Sequence, residues 1–111
     1  MTLRVSRISS FERPTGWSTL SLMLFMVIER FRDGTLKLIG ERFQRQGRML
    51  PEGAVYQASW VDSAGGRCFQ LMEAPRRESL DDWMRRWEDL IDFEVVPVLT
   101  SSEFWARMQL E

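Results

Sequence analysis

The stretch Tyr56–Glu73, YQASWVDSAGGRCFQLME, decides the fold of this chain. Two runs rich in β-branched and aromatic residues flank Ser63-Ala64-Gly65-Gly66, the composition of a hairpin turn. A loop of two or of four residues gives the same facing, because both pair even positions before the turn with odd positions after it. Tyr56, Ala58, Trp60 and Asp62 therefore share one side with Arg67, Phe69, Leu71 and Glu73, which sets Trp60 beside Phe69 and Asp62 beside Arg67. The other side carries Val55, Gln57, Ser59 and Val61 with Cys68, Gln70 and Met72.

Upstream of the hairpin, residues 24–31 alternate as a strand does. Leu24, Met26 and Ile28 fall on one side, and Phe25, Val27, Glu29 and Phe31 on the other. Asp33-Gly34-Thr35 then opens a helix with Leu36, Ile39, Gly40 and Phe43 at helical spacing, and Gly47 stands where it can end. Gly40 in mid-helix costs about 1 kcal/mol relative to alanine, which points either to a close approach to the sheet or to simple tolerance. Glu41 and Arg45 are four apart in the favourable order. Arg42, Arg45 and Arg48 read either as an anion site or as a solvated helix flank.

Downstream, Pro75 closes the hairpin's second strand. Ser79-Leu80-Asp81-Asp82 has the spacing of a capping box, ahead of Leu80, Trp83, Met84, Trp87 and Leu90 on one helical face. Acid-first pairs four apart are Asp81 with Arg85 and Asp82 with Arg86. Trp83 and Trp87 read as core residues of that helix, with a ligand-stacking platform as the other reading. Residues 91–100 form a fourth strand, in which Pro97 demands an edge position or a bulge. Ser102 can cap a last helix containing Phe104, Trp105 and Met108. The order of elements is β-α-β-β-α-β, so the expected fold is α+β and ferredoxin-like: a four-stranded antiparallel sheet with two helices on one face.

At 111 residues the chain can bury a core without metals or disulfides, and its only cysteine, Cys68, reads as a small interior residue. A net charge of −1 argues against a nucleic-acid partner. The absence of histidine removes imidazole bases, Ser-His and Cys-His pairs and the usual zinc and haem ligand sets. No metal and no cofactor is expected. Residues 1–22 read as an N-terminal extension and residues 23–111 as the domain, with Met23 able to begin it. The apolar run near residue 20 is too short to span a bilayer, so no membrane partner is expected and a cytoplasmic location fits best.

Placing Trp60 and Phe69 under the helices puts Leu24, Met26, Ile28, Leu71, Phe93 and Val95 there with them, and Glu73 and Tyr56 at the strand ends in structural hydrogen bonds. The opposite face then exposes Phe25, Val27, Val61, Met72, Val96 and Val98 around Glu29, Gln57, Ser59, Cys68, Gln70 and Glu94. So large an apolar surface asks for a cover, and the economical cover is a second copy of the chain, sheet against sheet. The polar set then has two readings. In one, Glu29, with Glu94 as a further carboxylate, faces a cavity under the cover where Gln57, Ser59 and Gln70 orient a small, partly apolar organic ligand. In the other, the same groups satisfy one another across a wet homodimer interface, and the protein is a structural or interaction module. No catalytic residue is identified.

Met26-Val-Ile-Glu-Arg-Phe31, Gly40-Glu-Arg-Phe43, Gly47-Arg-Met-Leu-Pro-Glu-Gly53, Ser59-Trp-Val-Asp62, Arg67-Cys-Phe-Gln-Leu-Met-Glu73, Arg86-Trp87 and Asp92-Phe-Glu-Val-Val-Pro-Val98 together resemble an uncharacterised family, domain of unknown function 3303. The resemblance runs from about Met23 to Trp105. It implies a member of the dimeric α/β-barrel superfamily, with the ferredoxin-like half-barrel and pairing described above. Superfamily relatives include cofactor-independent monooxygenases, lactone isomerases and haem-binding enzymes, and the lack of histidine sets this chain apart from the haem and histidine-metal branches. The resemblance carries over no catalytic residue.

Overall fold

In the computed structural model, residues 22–110 are described, so the reading of residues 1–21 as an extension lies outside the described residues. The alternating residues Met23–Phe31 form β1, and Leu36–Gln46 form α1. The hairpin is β2, Val55–Val61, and β3, Arg67–Ala74. A 3-10 turn, Arg77–Leu80, leads into the short α2, Asp81–Arg85, and β4 covers Ile91–Val98. The strands lie in the order β2-β3-β1-β4, so β-α-β-β-α-β connectivity closes into an antiparallel sheet of ferredoxin-like topology. β4 is an edge strand, which is where Pro97, lacking an N–H for a ladder, can sit.

The hairpin register is the one its sequence dictates: Trp60 lies opposite Phe69 and Val61 opposite Cys68. Asp62 and Arg67 close it with a backbone bond of 2.8 Å and an ion pair of 3.1 Å. Gly65 sits at φ +80°, a turn conformation that glycine adopts without steric cost. Farther from the turn the register shifts between Tyr56 and Ala58, leaving Gln57 as the extra residue of a bulge. The bulge turns Tyr56 onto the face of Ser59 and Val61, opposite Met72, and turns Val55 onto the face of Glu73. Strict alternation had placed both on the wrong sides.

The expected choice of covered face is reversed on β1, β2 and β3. The core is built from Phe25, Val27, Met72 and Ala74 of β1 and β3, with Leu80, Trp83, Trp87, Leu90 and Ile91. Phe25 is 1% exposed, whereas Trp60 is 56% exposed on the opposite face. That face holds Leu24, Met26, Ile28, Phe69 and Leu71, all only partly buried. The cause is that both faces of β1 and β3 are apolar, so alternation alone does not choose between them. Charge does. Arg30–Glu94 and Asp62–Arg67 pair on the Trp60 side, where partly exposed carboxylates and guanidinium groups keep their water. Glu29 and Gln70, which that choice of face set outward, instead satisfy one another beneath the helices. On β4 the expected facing holds: Ile91 is buried, Val95 packs on the core, and Phe93 meets Trp83 edge-on with ring centroids 5.5 Å apart.

Local chemistry departs from expectation at the helix ends. Ser79 does not cap a helix; the chain enters through the 3-10 turn, and α2 begins with no side-chain cap. Past Arg85 the coil continues in bonds from Arg86 to the Trp83 carbonyl and from Trp87 to that of Met84, which keeps Trp83, Trp87 and Leu90 on one inward side. Asp82 pairs with Arg85, and Asp81 with Arg77 at 3.9 Å. The last helix, α3, covers Ser101–Leu110. Its cap is Thr100, not Ser102: Thr100 Oγ1 accepts from the Glu103 N–H at 3.0 Å, and Glu103 Oε1 accepts from the Thr100 N–H at 3.1 Å. That reciprocal pair is a capping box.

Candidate functional site

Between the sheet and the helical layer lies a cavity of about 260 Å³. Leu36, Ile39, Gly40 and Phe43 of α1 form one wall, with Trp83, Trp87 and Ile91 across from them and Val61 of the hairpin at the rim. No residue of α1 is buried, so its apolar stripe faces this space without filling it. Gly40 contributes to the gap: a Cβ built there meets nothing within 4 Å. Its glycine therefore does not serve a close approach to the sheet.

The polar floor of the cavity follows from strand register. Glu29 on β1 lies opposite Cys68 on β3, and Gln70 is the diagonal neighbour of Glu29 on the same face. Glu29 is 6% and Gln70 5% exposed. Gln70 Nε2 donates to Glu29 Oε2, and Gln70 Oε1 accepts from Arg48 Nε at 3.0 Å. Arg48, which can only donate, thus fixes which way the Gln70 amide points. Burial pushes the Glu29 carboxyl from 4.5 up to about 7, against the smaller lowering effects of the Gln70 hydrogen bond and the Arg48 charge. The Cys68 thiol is pushed up to about 11, first by burial and then by the adjacent Glu29, so it is no nucleophile at neutral pH.

Arg48 reaches this floor because its loop is pinned. Trp87 Nε1 donates to the Arg48 carbonyl at 3.1 Å, and Arg86 Nη1 to the Met49 carbonyl at 2.7 Å. These bonds hold Met49 at φ +59°, a left-handed conformation that costs a non-glycine residue about 1 kcal/mol or more. The Arg48 guanidinium lies 3.7 Å from the centroid of Tyr56 and 5.3 Å from that of Phe43. Tyr56 is under it only because of the bulge, and its hydroxyl is 2.7 Å from Ser59 Oγ. Of the three arginines read as a cluster, Arg42 is engaged elsewhere, in a two-pronged pair with Asp89 at 2.7 and 2.9 Å. Asp89 stays below its ordinary value chiefly through that hydrogen bond.

Of the five residues proposed from sequence, Glu29 and Gln70 meet in the cavity, though beneath the helices and not on an open sheet face. Ser59 stands on the same face, opposite Gln70, but its hydroxyl is engaged with Tyr56. Gln57 gives its amide to Glu73 Oε1 at 2.7 Å and is not part of the lining. Glu73, expected under the helices, lies on the other face, opposite Val55 and Leu24. Glu94 is also on the other face, paired with Arg30 at 3.0 Å. The residues missed are Arg48, Gly40 and Trp83 as parts of one site. Trp83 lines the cavity, is 1% exposed, and its Nε1 is the one buried side-chain N or O among the described residues with no hydrogen-bond partner. A glycine inside an apolar helical stripe was the available signal for a cavity.

Among the described residues no three His, Cys, Asp or Glu side chains come together as metal ligands would, and no helix is long and apolar enough to cross a membrane. The family model described as a domain of unknown function, DUF3303, matches residues 23–110. No curated protein and no solved structure matches the chain.

Proposed function

Because the chain belongs to this domain family of unknown function, whose description supplies no reaction, we propose its function from the geometry: it binds a small, partly apolar organic molecule in the cavity between sheet and helices, with Glu29 as the group that gives or takes a proton. The observation that carries this reading is a buried carboxyl, with Gln70 and Arg48 beside it, at the floor of an otherwise apolar cavity. Burial holds Glu29 at the pH where it can act as either acid or base. At ~30 Å³ per water, the volume suits a ligand of about nine non-hydrogen atoms. Such a site supports cofactor-independent chemistry, in which the substrate supplies the reactivity and Glu29 moves the proton.

Gly40 provides the test. Since its Cβ would point into open space, Gly40→Leu is expected to fill the cavity and to stabilise α1 by about 1 kcal/mol through helix propensity. Native mass spectrometry of protein purified without denaturation should show a bound small molecule on the wild type and none on the variant. A ligand retained equally by both would place binding elsewhere.

The sheet's other face supports the second part of the proposal, a homodimer. Trp60, Phe69, Leu71, Met26 and Ile28 make an apolar band bordered by the Arg30–Glu94 and Asp62–Arg67 pairs, which suits a second copy about a two-fold axis. Sedimentation equilibrium should give twice the chain mass for the wild type and the single mass for Trp60→Glu. A wild-type monomer at tens of micromolar would overturn it.

A further inference from the structure

The cavity's unpaired polar atoms specify the charge of what fills it. Arg48 spends only its Nε, on Gln70, and among the described residues its two Nη groups have no hydrogen-bond partner. On the acceptor side stands one free oxygen, Oε1 of Glu29, on a carboxyl that burial keeps largely protonated below neutral pH. In that state Arg48 is a cation at an apolar chamber with no ion-pair partner among the described residues, the Glu29 carboxyl being neutral and separated from it by the Gln70 amide. A cationic ligand would face that guanidinium, and a neutral one would leave its fork unpaired.

We propose that the occupant is a small apolar monocarboxylic acid, bound as its anion with the carboxylate on the guanidinium fork of Arg48 beside Glu29 and the hydrocarbon body among Ile39, Phe43, Trp83 and Ile91. This rests on the reading of the cavity as a ligand site and adds the chemical class. A planar carboxylate matches a guanidinium in two parallel hydrogen bonds. It also sets a proton balance. Two carboxylates beside one arginine repel, so the anion binds best when Glu29 is protonated, and above neutral pH binding takes up one proton from solvent onto Glu29. No other group facing Glu29 titrates in that range. Cys68 ionises only at about 11, and the residues contributed by α1, by the helical segment after it and by β4, none of them ionisable, are Leu36, Ile39, Gly40, Phe43, Trp83, Trp87 and Ile91.

Calorimetry on the full chain with benzoate, cyclohexanecarboxylate and hexanoate, each against its primary amide, tests the class. At about pH 6 at least one acid should bind about tenfold or more tighter than its amide, and its affinity should fall about tenfold by about pH 8. Glu29→Gln should keep the acid and lose the pH dependence. Arg48→Gln should lose the preference for acid over amide, and Arg48→Lys should recover part of it. The acid–amide comparison needs only the wild type, so a variant that folds poorly does not spare the proposal. Amides binding as tightly as acids, with Gly40→Leu abolishing both, would overturn the acid class and leave the cavity as a ligand site. No binding by any of the acids, or an affinity that rises with pH, would overturn it as well.

Discussion

Phe25→Ala is expected to lower stability by about 3–5 kcal/mol, while Trp60→Ala lowers it by less than about 1 kcal/mol. Both substitutions remove an aromatic ring from the sheet, and on size alone the tryptophan should matter more. The sheet's facing reverses that order. Phe25 is enclosed with Val27, Met72 and Ala74 against Leu80 and Trp83, so truncation leaves a void that these neighbours cannot fully close. More than half of Trp60 remains in water, and its removal exposes little that was covered. Urea unfolding at a protein concentration low enough to keep the chain monomeric reads the folding term alone; in the proposed dimer the Trp60 change would act on association instead. Costs that are equal, or larger for Trp60, would mean that the helices cover the other face.

The second large effect is on the pH dependence of stability, and it belongs to Glu29. The carboxyl ionises near 4.5 in the unfolded chain and near 7 in the folded one. The folded state therefore holds its proton over a range in which the unfolded state has released it, and that difference favours folding only at low pH. The contribution is fully present below about pH 4.5, declines as pH rises, and is gone above about 7. At ~1.36 kcal/mol per pH unit, the raised value corresponds to about 3 kcal/mol. Glu29→Gln keeps an acceptor for the Gln70 amide and has nothing to titrate. Relative to the wild type, the variant should gain about 3 kcal/mol between about pH 4 and pH 8. Parallel stability–pH curves for the two proteins would mean that Glu29 is solvated in the folded state.

Much of this architecture is legible in the chain because local signals agree. The hairpin turn, the pairing of Trp60 with Phe69 and of Asp62 with Arg67, the break at Gly47 and the edge position of Pro97 each follow from a residue's own backbone chemistry. The choice of face does not follow from alternation, because β1 and β3 are apolar on both sides and the size of Trp60 outweighed its company. Arg30, Asp62, Arg67, Glu73 and Glu94 all lie on the Trp60 side, against Glu29 alone among the strand residues of the other. Weighing charge above aromatic area would have chosen correctly. The bulge at Gln57 has no such signal in its sequence, yet it brings Tyr56 beneath Arg48 and beside Ser59.

The site was half legible for the same reason. Glu29 and Gln70 stood out as polar residues in apolar strands, and the structure joins them, but a residue's polarity does not say whether it finds water or a partner. Arg48 could not be placed from the arginine cluster, since its direction is set by bonds from Trp87 and Arg86, some forty residues away in the chain. Trp83 is core by burial, as its helical face implies, and it also lines the cavity.

The titration of the Glu29 side-chain carboxyl, followed by carbon-13 NMR on the full chain, bears most directly on all of this. A midpoint near 7 is the value expected of a carboxyl enclosed beneath the helices with Gln70 and Arg48. A midpoint near 4.5 would put Glu29 in water, and the cavity, the chosen face of the sheet and the proposed ligand chemistry would fall with it.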